Sequence, residues 1–226
     1  MARFTPALFS FLRDLEANND RGWFKANQER YERSVREPAL ELISELAPRL
    51  RKVSPHLVAD PRPVGGSLFR IQRDTRFSKD KSPYKTYVAL RFGHERGRDV
   101  HAPGYYLHLA PGECYFGMGL WHPDTGTART IRQAIAEDPG SWKRAAHGSR
   151  FAGRFELGGD SLQRVPKEFE ADHPLAADLK RKDFIAGASL TQKQVTSNGF
   201  VDEITALCRE GALLVRFLCG ALGLPF

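Results

Sequence analysis

The chain has 226 residues, 41% of them hydrophobic and 27% charged, with a formal net charge of +7. That balance excludes a disordered tail and leaves a folded protein able to bury a substantial core, while the basic excess favours anionic partners. No apolar run approaches the roughly 18 residues of a membrane span, and Asp14 and Glu16 interrupt the N-terminal stretch where a signal peptide would continue, so a cytoplasmic protein without a membrane partner is expected.

Leu8, Leu12 and Leu15 repeat at helical spacing behind Pro6, and "NND" at 18–20 ends that helix and caps the next. The second helix carries Trp23, Phe24, Asn27, Tyr31 and Val35. A third is expected to start at Pro38, with Leu42, Ile43, Leu46 and Leu50 as its buried stripe and Pro48 kinking or ending it.

From residue 67 the period changes to two. "SLFRIQR" and "YVALRF" read as strands around a basic loop, and "GYYLHLAPGECYFGMGLW" reads as a hairpin with Pro111-Gly112 at its tip. If Leu109 faces Cys114, then Leu107 faces Phe116 and Tyr105 faces Met118, which makes one face uniformly apolar. A one-residue slip mixes the two faces, so the register is well specified. Two helices, a short β-like stretch at "GRFEL", a short helix over 174–182, a strand at "DFIAGASL" and a final helix carrying Ile204, Leu207, Cys208, Gly211, Val215 and Leu218 complete the chain. The expectation is one α+β domain over residues 1–226: a central antiparallel sheet (about 67–121 plus later strands) flanked by N-terminal and C-terminal helices.

Between Arg70 and Lys85 stand six cations (Arg70, Arg73, Arg76, Lys79, Lys81, Lys85) against two acids (Asp74, Asp80), a net +4. Arginine forks, lysine point charges and the nearby hydroxyls of Ser78, Ser82, Tyr84 and Thr86 suit phosphate oxygens. In the anion reading the two acids each orient a neighbouring cation. A solvated loop with structural Arg–Asp pairs explains the same composition about equally well. No P-loop pattern occurs.

The polar hairpin face carries Tyr106, His108, Tyr115 and Trp121 around Gly117 and Gly119, with Tyr87 and Arg91 on the matching face of the preceding strand. Glycine inside a strand marks close approach of a ligand or of another backbone. Tyr106 and Trp121 are candidates for a stacking wall and His108 for a general acid or base; a helix packing on this face is the competing account. His94, His101 and His108 lack metal-ligand spacing, and Cys114, Cys208 and Cys219 lack a C-x-x-C pair, so neither metal nor disulfide is expected and no cofactor is named. Asp20 is expected as a helix cap, and Asn27 as a donor to buried backbone or to a ligand.

"NNDRGWFKANQERY", "RDTRFSKDKSPYKT", "PGYYLHL", "GMGLWHP" and "ADHPLAADLKRKDF", in that order, resemble the bacterial and fungal family catalogued as domain of unknown function 2461. The resemblance spans nearly the whole chain. It implies a cytoplasmic α+β domain of about this length without established activity, and it supplies no catalytic residues.

The preferred reading is a pocket for a small anionic, phosphate-bearing ligand. Arg70, Arg73, Arg76, Lys79, Lys81, Tyr84 and Lys85 would surround the anion, and Tyr106, His108 and Trp121 would line the other wall. The alternative is a nucleic-acid module using the same loop on phosphates and the aromatics on bases; a structural or protein-interaction domain is the third reading. The sequence leaves the oligomeric state open.

Overall fold

A computed structural model describes residues 4–96 and 102–226, so His101 lies outside the described residues. Its centre is the hairpin of β2 (Gly104–Ala110) and β3 (Glu113–Leu120), turned by Gly112 at φ 82°. The register is the one the alternation demands: Leu109 faces Cys114, Leu107 faces Phe116 and Tyr105 faces Met118. β1 (Val88–Gly93) pairs antiparallel with β2, β5 (Phe184–Leu190) with β3, and the short β4 (Glu156–Gly158) with β5. The sheet order is β1-β2-β3-β5-β4, all antiparallel, which with the helices makes an α+β architecture.

One face of this sheet is core. Leu90, Phe92, Tyr105, Leu107, Leu109, Phe116, Met118, Leu120 and Phe184 are all buried. Helices α1 (Pro6–Ala17), α2 (Arg21–Ala26), α3 (Gln28–Tyr31) and α4 (Glu37–Leu50) add Leu8, Leu12, Leu15, Phe24, Tyr31, Leu42, Ile43 and Leu46 to it. Asp20 caps α2 through the N–H groups of Gly22 and Trp23, and Asn27 Nδ2 donates to the Trp23 carbonyl.

The helix expected from Pro38 opens one residue earlier, at Glu37, and is continuous with the helical backbone before it. A π-helical turn, Glu32–Arg36, joins α3 to α4, and Pro38 lies in the first turn of α4, just beyond it. A proline cannot donate to the carbonyl four residues back and its ring crowds that group; the wider π turn placed immediately upstream opens the ladder where the bond is missing. Pro48 falls in the last turn of α4, two residues before its end.

The later elements are α5 (Thr125–Glu137), α6 (Pro139–Ala146), α7 (Ser149–Ala152), α8 (Ala176–Leu179), α9 (Gln192–Val195), α10 (Phe200–Glu210) and α11 (Ala212–Ala221). The helix expected over 174–182 shrinks to the single turn of α8. The expected final helix is two, broken at Gly211, where an added β-carbon would stand 2.3 Å from Met118 Sδ. Thr191 and Gln194 form a capping box at the start of α9.

The largest correction concerns "SLFRIQR", expected as a strand. Only isolated bridges occur there, Leu68 to Leu90 and Gln72 to Tyr84. The Phe69 N–H donates to the Ala89 carbonyl, but by Ile71 the partner has changed, and the Ile71 carbonyl accepts from Lys85. The segment leaves β1 to pair with its own return, so the sheet begins at Val88, not at residue 67.

Candidate functional site

That change of partner builds the basic loop. Residues 71–73 run antiparallel to 83–85, tied by Lys85 N–H to the Ile71 carbonyl and Arg73 N–H to the Pro83 carbonyl at 2.8 and 2.9 Å. Residues 74–82 form the loop between them. Asn19, in the turn between α1 and α2, pins this ribbon: its Oδ1 accepts from the Tyr84 N–H at 3.1 Å and its Nδ2 donates to the Tyr84 carbonyl at 3.0 Å. The Tyr84 ring is buried and stacked on Phe24 with centroids 4.1 Å apart, so it anchors the ribbon in the core.

An open cleft of about 500 Å³ lies between the ribbon and the end of α1. Glu16, Asn19, Arg73, Asp74, Asp80, Ser82, Tyr84, Lys85, Thr86 and Tyr87 line it. Of the residues expected around an anion, Arg73, Tyr84 and Lys85 are in this lining; Arg70, Arg76, Lys79 and Lys81 are not.

The acids orient cations as expected, and so leave them partly neutralised. Arg73 pairs with Asp80, and Arg76 grips both oxygens of Asp74. The Arg76 guanidinium holds the Asp74 carboxyl down at about 2. Arg73 first, then the Ser82 hydroxyl and N–H, hold Asp80 well below the usual carboxylate range. Lys81 Nζ donates to the Thr75 carbonyl. Lys85 is also in no ion pair among the described residues, and it is the partly buried lysine of the ribbon: its Nζ donates to the Arg70 carbonyl at 2.9 Å, and it lies 5.4 Å over the Phe69 ring. Burial, and then the charge of Arg70, push its pKa down.

Tyr87 connects the cleft to the polar sheet face. The His108 imidazole is sandwiched between Tyr87 and Tyr115, at centroid distances of 4.6 and 4.9 Å, and Tyr106 Oη lies 3.3 Å from His108 Nδ1. Burial lowers the His108 pKa, which keeps the ring neutral at pH 7, and burial raises that of Tyr106. These rings occupy one another's faces and do not form an open stacking platform. Trp121 is not with them: it follows β3 six residues after Tyr115, roughly 20 Å along the strand, where it packs on His122.

The two glycines of β3 differ. An added β-carbon at Gly119, φ 108°, would meet the Phe184 carbonyl at 2.1 Å, so the close approach there is by the backbone of β5; Gly117 has only the Tyr106 side chain and carbonyl near it, at 3.8 and 3.9 Å. Of the other histidines, His94 uses Nε2 on the Pro225 carbonyl and Nδ1 on the Arg96 N–H. Among the described residues no three His, Cys, Asp or Glu side chains gather to hold a metal ion. The three cysteines are free and buried.

Sequence reasoning missed Glu16 and Asn19, which lie far from the loop in sequence. The doubled asparagine at 18–19 was explained there as a helix end. No helix among the described residues is long and apolar enough to cross a membrane. No curated protein and no solved structure gives a significant match. A family model does match, over residues 7–217, and with those five motifs inside that span or at its core the chain belongs to the family described as Conserved hypothetical protein (DUF2461).

Proposed function

We propose that the chain binds a small anionic, phosphate-bearing ligand in the cleft between α1 and the basic ribbon. Lys85 and Arg73 make the anion contacts, and the hydroxyls of Ser82 and Thr86 complete them. The observation that carries this reading is Lys85: half-buried, its Nζ on the Arg70 backbone carbonyl, in no ion pair among the described residues, and with its pKa pushed down by burial and then by the charge of Arg70. An anion beside Lys85 relieves that repulsion and raises its depressed pKa. His108, neutral behind Tyr87, is the candidate acid or base for any reaction on the ligand.

Calorimetry with inorganic phosphate, a hexose phosphate and adenosine monophosphate tests it. At least one should bind wild type, and Lys85→Met should weaken binding tenfold or more, in line with the ~1.5–3 kcal/mol of a hydrogen bond to a charged group. His108→Gln should leave affinity within threefold. Failure of all three ligands to bind at millimolar concentration refutes the proposal.

A second reading, single-stranded nucleic acid along the same loop, draws on Phe77, which stands 94% exposed at the tip with the Arg76 guanidinium 5.6 Å over its ring. Here Phe77→Ala should weaken binding of a labelled oligothymidine fivefold or more, and the affinity should fall steeply with salt. An unchanged affinity removes this reading.

A further inference from the structure

A second group of chemistry-bearing residues lies at the far end of β3 from the cleft, where Trp121 and His122 lead into α5. Among the described residues His122 is the one non-glycine with positive φ, at 47°. Such a backbone is strained for a residue with a β-carbon and persists only where the surroundings hold it. Asp183 holds it. Its carboxylate, with the side chain 2% exposed, accepts from the His122 backbone N–H at 2.7 Å and lies 3.1 Å from the ring Nδ1, while its other oxygen accepts from the Asp160 N–H at 2.8 Å.

The negative charge 3.1 Å from Nδ1 favours, by electrostatics and not through an aligned hydrogen bond, the tautomer with its proton on that nitrogen, and so leaves the lone pair on Nε2, the nitrogen remote from the main chain. The His122 side chain is 57% exposed. Trp121 lies against the imidazole with centroids 4.0 Å apart, and 63% of the residue remains open to solvent.

The other described histidines lack this combination. His173 Nδ1 accepts from the Leu175 N–H, which places its proton on Nε2; His147 turns Nε2 towards Asp178; His94 and His108 are buried. His56 has the same sense as His122, Nδ1 on the Glu95 carboxylate at 2.7 Å, but Glu95 is solvent-exposed.

We propose that Trp121, His122 and Asp183 form a nucleophilic site, independent of the cleft, for an acyl group carried on a flat aromatic ring that rests on the Trp121 indole. The charge of Asp183 biases the imidazole tautomer and Nε2 is the attacking atom. With p-nitrophenyl acetate, the Nε2 lone pair forms a bond to the acetyl carbon and p-nitrophenolate departs with the electron pair of the broken C–O bond. Water then adds to the acetyl-imidazolium, acetate leaves, and two protons pass to solvent as the neutral ring is restored.

The test is the rate of p-nitrophenyl acetate hydrolysis at pH 7 by the full chain and its variants. His122→Gln should lower the protein-dependent rate fivefold or more, whereas His56→Gln, which removes an imidazole of the same sense on an exposed carboxylate, should change it less than twofold. Trp121→Ala should lower kcat/KM threefold or more, through KM. A His122→Gln rate within twofold of wild type, a His56→Gln loss as large as that of His122→Gln, or an unchanged KM in Trp121→Ala each overturns the proposal. If His122→Gln does not fold, carbethoxylation of the wild-type protein mapped by mass spectrometry decides. His122 modified ahead of His56 and His173 supports the proposal, and His122 modified with or after them overturns it.

Discussion

Replacing Gly119 with alanine asks why a glycine stands near the end of β3, where the strand is paired on both sides. Two costs follow from its geometry. The backbone there has φ 108°, where a β-carbon is disfavoured by at least the ~1–2 kcal/mol of a left-handed residue. The new methyl would also stand 2.1 Å from the Phe184 carbonyl oxygen, which is backbone and cannot rotate away. Clearing it means moving β3 from β5 by about an ångström, at the expense of roughly two ladder hydrogen bonds of ~1 kcal/mol each. The sum is ~3–4 kcal/mol, which at ~2–4 °C per kcal/mol for a chain of this size lowers Tm by about 10 °C. Gly117 is the internal control: its φ is ordinary and the nearest atoms to an added β-carbon are at 3.8 Å, so Gly117→Ala should shift Tm by no more than about 2 °C. Calorimetric melting of the two variants beside wild type makes the comparison. Equal destabilisation by both, or a neutral Gly119→Ala, would show that strand proximity is not what selects glycine at 119.

Asn19→Ala removes both side-chain bonds to the Tyr84 backbone; a loss of ~1–2 kcal/mol and faster amide exchange across 71–86 are expected by native-state hydrogen exchange, and unchanged exchange there refutes the pinning role. Asp74 has its pKa lowered to about 2 from an unfolded value of 3.8, so its pairing with Arg76 favours the folded loop above pH 3.8 and is lost as pH falls through about 2. An Arg76 guanidinium NMR signal that shifts over that window is the readout, and one that titrates near pH 4 contradicts the pairing. Burial raises the thiol pKa of all three cysteines, that of Cys219 to about 11; an aromatic disulfide reagent at pH 8 should label none in the native chain within minutes and three after denaturation.

The parts of the fold legible from sequence are those fixed by local pattern. The β2–β3 hairpin could be registered by hand because period-two alternation and a Pro-Gly turn leave one pairing that keeps Leu107, Leu109, Phe116 and Met118 on one side. Residues 67–73 carried the same alternation, yet the chain there serves two partners in turn, β1 and then its own return at 83–85, and alternation cannot say which strand a residue pairs with. The break at Gly211 was hidden because its cause is Met118, on a different element. The candidate site divides in the same way. The charges of the ribbon and the aromatic face were visible, but the cleft depends on Glu16 and Asn19, and Asn19 meets Tyr84 across 65 positions. Trp121 was grouped with His108 on alternation alone, which fixes a face and says nothing of distance along it.

The two margins of the sheet bear on how the protein avoids its own copies. Residues 56–58 and 67–69 lie along the outer side of β1, where Val58 donates to the Gly93 carbonyl, Phe69 to Ala89 and Arg91 to Ser67. The opposite margin is β4, three residues long, with an exposed glutamate at 156 and a glycine at 158. A flat, open strand is a template on which a second chain can grow by main-chain pairing, the first step of cross-β aggregation. Here one margin is already occupied by the chain's own irregular segments, and the other is too short and too polar to hold a visitor. Residues 67–69, which fail as a regular strand, therefore serve with 56–58 as a plug: loosening them would expose β1 and should make the protein prone to self-assembly before it makes it unfold.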